Sequence, residues 1–219
     1  MDCAALYVSV PVASFRAPYA REYFETLPCP PPSTVYGMLL SLVGEPDRLR
    51  HIGAEIAIGL LSAPETSVVL RTLWRVKSKE DPPGTGENKR PDFQELLTNV
   101  RLAVWVRPGR SERRPTLHQR VMRAVKDPVA VARFGGLSLG ESTHLVDEIR
   151  PLLSSDTAAV RLLLARDDGD ISLSVWADHV GSAGTKWKQF KIGEKAPLGG
   201  PPPDNEWVAI ERLNTAPAE

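Results

Sequence analysis

The chain predicts an α+β fold, an antiparallel sheet with helices packed on one face. Three observations predict it. Short alternating runs recur along the whole sequence, two amphipathic helical patterns interrupt them, and no apolar run is long enough to span a bilayer. At 219 residues the chain can bury a proper core as one domain, residues 1–219, without a disulfide or metal staple. Two cysteines, Cys3 and Cys29, make no disulfide framework, and MDCAALYVSV has no basic stretch ahead of its apolar run. Both features point to a cytoplasmic protein with reduced thiols.

The elements follow in order. ALYVSV alternates and opens the chain as a strand. PPPSTVYGMLLSLVGEP predicts a helix, because Val35, Met38, Leu39, Leu42 and Val43 fall on one face. Ser33 or Thr34 can cap its start, and Gly44 followed by Glu45-Pro46 can end it. EIAIGLL reads as a buried strand. In SVVLRTLWRVK, Val68, Leu70, Trp74 and Val76 share one face, while Arg71, Arg75 and Lys77 share the other with Leu73. In NVRLAVWVR, Val100, Leu102, Val104 and Val106 face one way, and Arg101, Trp105 and Arg107 the other. This period of two predicts a sheet with an apolar core side and a basic side.

Residues 78–98, between those two strands, are rich in Pro, Gly and charge and too long for a tight turn. They read as a mobile insertion. RPTLHQRVMRAVKD predicts a second helix, with Leu117, Val121, Ala124 and Val125 inward and Gln119, Arg123 and Lys126 outward. RFGGLSLGES is a glycine-rich loop. AAVRLLLARDDGDISLSVWA reads as a hairpin turning at Asp168-Gly169. TKWKQFKIG is basic and laced with aromatics, and EWVAIERL predicts a last strand, closing a β-rich part over residues 156–213. The order is compatible with a ferredoxin-like sheet.

Charge and motifs narrow the chemistry. Net charge is zero, yet residues 71–126 hold 14 of the 27 Lys and Arg and only 6 of the 27 acids. A basic middle in a neutral protein points to a local polyanion site. The four histidines and two cysteines lack metal-ligand spacing, so neither a metal nor a cofactor is expected. GGLSLGES has glycines spaced like a phosphate loop, but Glu141 stands where Lys is required and repels phosphate. His118 sits in the basic second helix, where a histidine can serve as general acid or base. Arg16, Tyr19, Arg21, Tyr23 and Phe24 crowd ahead of Pro30-Pro31-Pro32 and a helix start. Guanidinium forks, stacking rings and a helix N-terminus together suit single-stranded nucleic acid.

The stretch SFRAPYAREYFETLPCPPPSTVYGMLLSLVGE, together with FGGLSLGESTHLVDEI, closely resembles the CRISPR-associated Cas protein family five of the RAMP superfamily. The resemblance implies an RRM-related, ferredoxin-like domain whose thumb is residues 78–98. It implies a subunit of a type I Cascade surveillance complex. That subunit holds the 5′ handle of the CRISPR RNA, ends the backbone filament, contacts the large subunit and lies by target DNA near the protospacer-adjacent motif. The implied RNA contacts are Arg16, Arg21, Tyr23, Ser33, Thr34, Tyr36, Arg71, Arg75, Lys89, Arg90, Arg101, Arg107, Arg120, Arg123, Gly135 and Gly136, with Gly37 permitting close approach. One subtype of the family also cuts precursor RNA and pairs a Tyr with a Lys-His unit. Tyr36 matches that Tyr, but His118 follows Leu117 rather than Lys, so a non-catalytic role is expected.

Overall fold

A computed structural model of the chain describes residues 3–20, 23–74, 77–110, 112–180 and 183–213. Strand β1 (Ala4–Ala13) is followed by a two-residue strand β2 (Tyr23–Phe24), helix α1 (Pro32–Leu42), β3 (Glu55–Leu60), β4 (Glu65–Trp74) and the long β5 (Lys89–Arg107). Helix α2 (Leu117–Lys126) leads to β6 (Glu148–Pro151), β7 (Arg161–Ala165), β8 (Ile171–Trp176), β9 (Lys186–Ile192) and β10 (Val208–Ala209). The sheet runs β6-β1-β5-β3-β7-β9-β8, with β10 on β3 and both β2 and β4 on β5. All pairings are antiparallel except β2 with β5.

Alternation builds the core as expected. Ala4, Leu6, Val8 and Val10 of β1 are at most 1% exposed, and they meet Val100, Leu102, Val104 and Val106 of β5 on the same side. Both helices cover that side: Val35, Met38, Leu39 and Leu42 of α1, and Leu117, Val121 and Ala124 of α2, are buried in it. Helix α2 starts on Thr116, whose hydroxyl accepts the Gln119 N–H while the Gln119 side chain accepts the Thr116 N–H. At α1 the outcome differs from the reading of the sequence. Pro31 is the N-cap and no side chain caps the helix. The Ser33 hydroxyl turns instead to Ser174 of β8, 2.6 Å away.

Four expectations are corrected. First, residues 89–98 are strand, not mobile insertion. Strand β5 extends well past the central sheet, and its first half pairs with all of β4, from Trp74 on Lys89 to Glu65 on Thr98. Only the tip is loop, and Asn88 knits it together. The Asn88 amide oxygen accepts the Lys77 and Ser78 N–H groups, and its NH₂ donates to the Ser78 and Asp81 carbonyls. Gly84, at φ 77°, lies so close to the Trp74 indole that a Cβ there would clash.

Second, the apolar face of β4 is not core. Val68, Leu70 and Trp74 are exposed, as is Phe93 opposite Leu70, because the hairpin leaves the body of the protein. Third, the other face of β5 is not a basic open surface in its second half. Trp105 is 1% exposed, packed with Ala57, Ala103 and Val160 under a layer that includes Leu152, Leu162, Leu198 and Trp207.

The Asp168-Gly169 segment is also not a hairpin turn. β7 and β8 do not pair; they flank β9, and both reach Phe190 from opposite sides. The chain crosses β9 at Gly169, where a Cβ would lie 2.5 Å from the Phe190 backbone, so the glycine serves a close approach.

Candidate nucleic-acid interface

The outward face of α1 is small and polar. Ser33, Gly37 and Ser41 recur every fourth residue, opposite the buried Val35, Leu39 and Leu42. That face floors a groove made of two adjoining clefts. The first, of about 270 Å³, lies at the start of the helix and is lined by Ser33, Thr34, Gly37 and Ser41, by Ser138 and Gly140 of the glycine-rich loop, and by Arg48, Trp176 and His179. The second, of about 630 Å³, shares Gly37, Leu40, Ser41, Arg48 and His179 and continues to Gly44, Ala132, Arg133 and Phe134. Gly37 is exposed in mid-helix, and a Cβ there would meet nothing within 4 Å. Nothing in the chain itself requires a glycine at this point, although a helical glycine costs about 1 kcal/mol relative to Ala.

The glycine-rich loop forms the second wall because its backbone is pinned. Gly140, at φ 97°, abuts the Ser14 carbonyl at 2.6 Å from where its Cβ would be. His144 Nδ1 accepts the Ser14 N–H at 3.1 Å and the Glu141 N–H at 3.3 Å. Two donors on one nitrogen require the neutral ring with its proton on Nε2, and burial accordingly lowers the His144 pKa. Glu141 is engaged within the protein. Its carboxylate takes the Arg71 guanidinium at 3.1 Å and the Gln94 amide at 2.6 Å, which ties the loop to the β4–β5 hairpin.

Helix α1 is a weak anion site in its own right. Pro31 and Pro32 have no N–H, and the Thr34 and Val35 N–H groups both turn to the Pro31 carbonyl at 2.9 and 3.1 Å. Of the groove's cations, Arg48 lies 4.6 Å over the Trp176 ring and donates to the Ala177 carbonyl, which holds it in place.

The residues expected from the sequence divide into three groups. Ser33 and Thr34 line the groove; Gly135 and Gly136 do not, since only the adjoining Phe134 does and Gly136 lines a separate cleft with Leu137 and Leu145. Arg16 is exposed beside Phe24, its guanidinium 4.2 Å over the ring, and Tyr23 donates to Glu95 at 3.2 Å. Lys89, Arg101 and Arg123 are exposed; Arg90 pairs with Asp92 at 2.7 Å, and Arg71 with Glu141 and Gln94. Arg21 and Arg75 lie outside the described residues.

The remaining residues are spent inside the protein. Tyr36 borders the first cleft but is 2% exposed; it donates its hydroxyl to the Arg48 carbonyl at 2.8 Å, and burial pushes its pKa up. His118 is 4% exposed on the inner side of α2. Arg107 pairs with Glu55 and with Asp204 at 2.7 Å and stacks on Trp207. Arg120 pairs with Glu45, donates to the Val43 carbonyl at 2.9 Å and meets His51 Nε2 at 3.1 Å. A guanidinium only donates, so His51 Nε2 accepts and Nδ1 carries the proton to Glu112, 2.8 Å away. Glu112 in turn accepts the Leu117 N–H at the start of α2. This buried chain fastens the end of α1 to the start of α2 and so fixes the groove floor.

Sequence reasoning missed Arg48, Trp176 and His179 as groove residues, because they come from segments outside the two motif blocks, and it named the glycine-rich loop without singling out Ser138 and Gly140. The Ser33, Gly37, Ser41 spacing was the available signal for the floor.

Among the described residues, no group of His, Cys, Asp and Glu is placed to hold a metal ion. No helix among them is long and apolar enough to cross a membrane.

The family profile described as "CRISPR-associated protein (Cas_Cas5)" matches residues 3–135. A protein named "CRISPR-associated protein Cas5" from Myxococcus xanthus (strain DK1622) is 46% identical over 87% of this chain and 90% of its own length. Among solved structures, a chain of a "CRISPR RNA-guided surveillance complex" is similar at a TM-score of 0.60 and 14% identity, covering 93% of this chain and 95% of that one. A second, titled "Crystal structure of Cas protein", is similar at a TM-score of 0.52 and 15% identity, covering 91% and 100%. Profile and relative agree over most of the chain, which therefore belongs to the Cas5 family of CRISPR-associated proteins.

Proposed function

We propose that this chain is a non-catalytic, RNA-binding subunit of a type I Cascade complex, holding the 5′ handle of the CRISPR RNA in the groove over α1. One observation carries the reading. The N-terminal block and the glycine-rich block, about a hundred residues apart in the sequence, form the floor and wall of one groove. The groove is open at Gly37, where only an outside ligand gives the glycine a purpose. The likeness to a chain of an RNA-guided surveillance complex supports the same assembly. The order β6-β1-β5-β3, with α1 and α2 as the crossovers, supports a ferredoxin-like core.

The β4–β5 hairpin corresponds to the thumb, widened from residues 78–98 to residues 65–98. Its exposed Val68, Leu70, Trp74 and Phe93 make it the candidate contact with the backbone filament subunit. Arg16, Lys89 and Arg123 remain candidate phosphate contacts. Arg107 and Arg120, whose guanidinium groups are engaged within the protein, are better read as structural. The burial of Tyr36 and His118 counts against precursor RNA cleavage, since a general acid or base must reach the reacting group.

Copurification with the neighbouring operon proteins and sequencing of the bound RNA tests the proposal. The expected result is a stoichiometric complex in which the bound RNA shares a repeat-derived 5′ end. A chain that purifies alone without RNA, or that cuts repeat RNA by itself in EDTA, would contradict it.

A further inference from the structure

The groove's cleft at the start of α1 holds about 270 Å³ and the adjoining one at its far, wide end about 630 Å³, which leaves more room for a base there. At the wide end stands Phe134, its side chain fully exposed. A bare phenyl ring in water has no folding role to explain it. Gly135 follows at φ 74° with nothing within 4 Å of where its Cβ would be, so the chain turns away and leaves the ring uncovered. Arg133 is exposed beside it, also lines the groove, and has no ion-pair partner among the described residues.

The surroundings decide what covers the ring. Phe134 borders a cleft whose lining mixes the apolar Leu40, Pro46 and Ala132 with Ser41, Arg48, Arg133 and His179, and a fully desolvated protein hot spot does not favour two arginines beside the ring. The one carboxylate there, Glu45, is already neutralised by Arg120 and by Arg50 at 3.4 Å, so it does not repel an anion. An uncovered aromatic face in one cleft with Arg48 and Arg133 suits a stacked base on a single strand.

We propose that Phe134 is the stacking platform for one unpaired base of an RNA strand that enters the groove over α1, with Arg133 gripping the adjoining phosphate. This rests on the groove being the RNA site. It adds a direction to the strand, backbone over Gly37 and base on Phe134.

The test uses the full-length chain and short single-stranded RNAs drawn from the repeat, one intact and a series with each nucleotide in turn made abasic. Fluorescence anisotropy gives the affinities. Phe134→Ala is expected to weaken binding of the intact RNA about tenfold, the size of one lost base stack, and Phe134→Tyr to restore it. One abasic position should weaken the wild-type protein by the same factor and have no further effect in Phe134→Ala. Wild-type affinity in Phe134→Ala, or equal losses at every abasic position, would overturn the stacking role while leaving the groove reading intact. Normal RNA binding by Phe134→Ala with loss of a protein subunit from the complex would also overturn it and make the ring a protein contact. No binding by the wild-type protein would remove the groove reading and this inference together.

Discussion

Strand β5 contains two regions with one pattern and two fates. Its second half lies between β1 and β3 and is covered on both faces, with Val104 and Val106 on one side and Trp105 on the other. Its first half pairs mainly with β4 in a hairpin whose outer face leaves Phe93 and Leu70 in solvent. The break is marked by Asn99, at φ 58°, a left-handed conformation that Asn tolerates better than most residues. Ser62 clamps the junction, donating its hydroxyl to the Asn99 carbonyl at 2.7 Å and accepting the Arg101 N–H at 3.0 Å. Period-two alternation thus reports which residues share a face. It does not report whether anything in the same chain covers that face.

The comparison makes its largest prediction for the covered half. Trp105→Ala should cost about 3–5 kcal/mol, while Leu70→Ala in the hairpin should stay within about 0.5 kcal/mol. Urea unfolding measures both, and equal losses would break the distinction. Next in size is Arg120→Ala, which removes the shorter ion pair of Glu45 and the donor to His51 Nε2, leaving Glu45 to Arg50 and His51 to Glu112, and should cost about 1–3 kcal/mol. Arg123→Ala, at an exposed position about one turn further along α2, should leave stability alone and lower the salt dependence of RNA binding.

Gly37→Ala sharpens the point at the groove. It should stabilise the chain by up to about 1 kcal/mol while weakening RNA binding, a split that thermal melts and anisotropy resolve. A further effect, confined to alkaline solution, concerns pH. Burial pushes the Cys29 thiol up to about 12 and also raises the Tyr36 phenol, both in the covered body. Each keeps its proton in the folded state where the unfolded chain releases it. Stability is therefore full below the ordinary values of 9.0 and 10.0 and declines as pH rises toward 12. Thermal midpoints flat from neutrality to that range would contradict this assignment.

Much of the fold was legible because local rules governed it. Both helices and the β1 and β5 core faces follow from periodicity and turn residues alone, whereas the closing strand expected over residues 206–213 is reduced to Val208–Ala209. The extent of the hairpin was not, since Pro91 and the charges of residues 78–98 read as loop while β4 supplies them a ladder. The β7–β9–β8 order was hidden too. Asp168-Gly169 has the composition of a hairpin turn, and only the approach of Phe190 shows that Gly169 serves a crossing. At the site, the motif blocks were visible and their meeting was not. Arg107 and Arg120 looked like RNA contacts because a basic residue on an outward strand or helix position reveals nothing about Asp204, Glu55 or Glu45 lying within reach.

The central claim is that RNA lies in the groove between α1 and the glycine-rich loop. Photocrosslinking of a repeat-derived RNA to the assembled complex, followed by peptide mapping, tests it most directly. Crosslinks within residues 33–41 and 133–140 are the predicted result; crosslinks confined to the outer face of the β4–β5 hairpin or to β9, with none in those two segments, would contradict it.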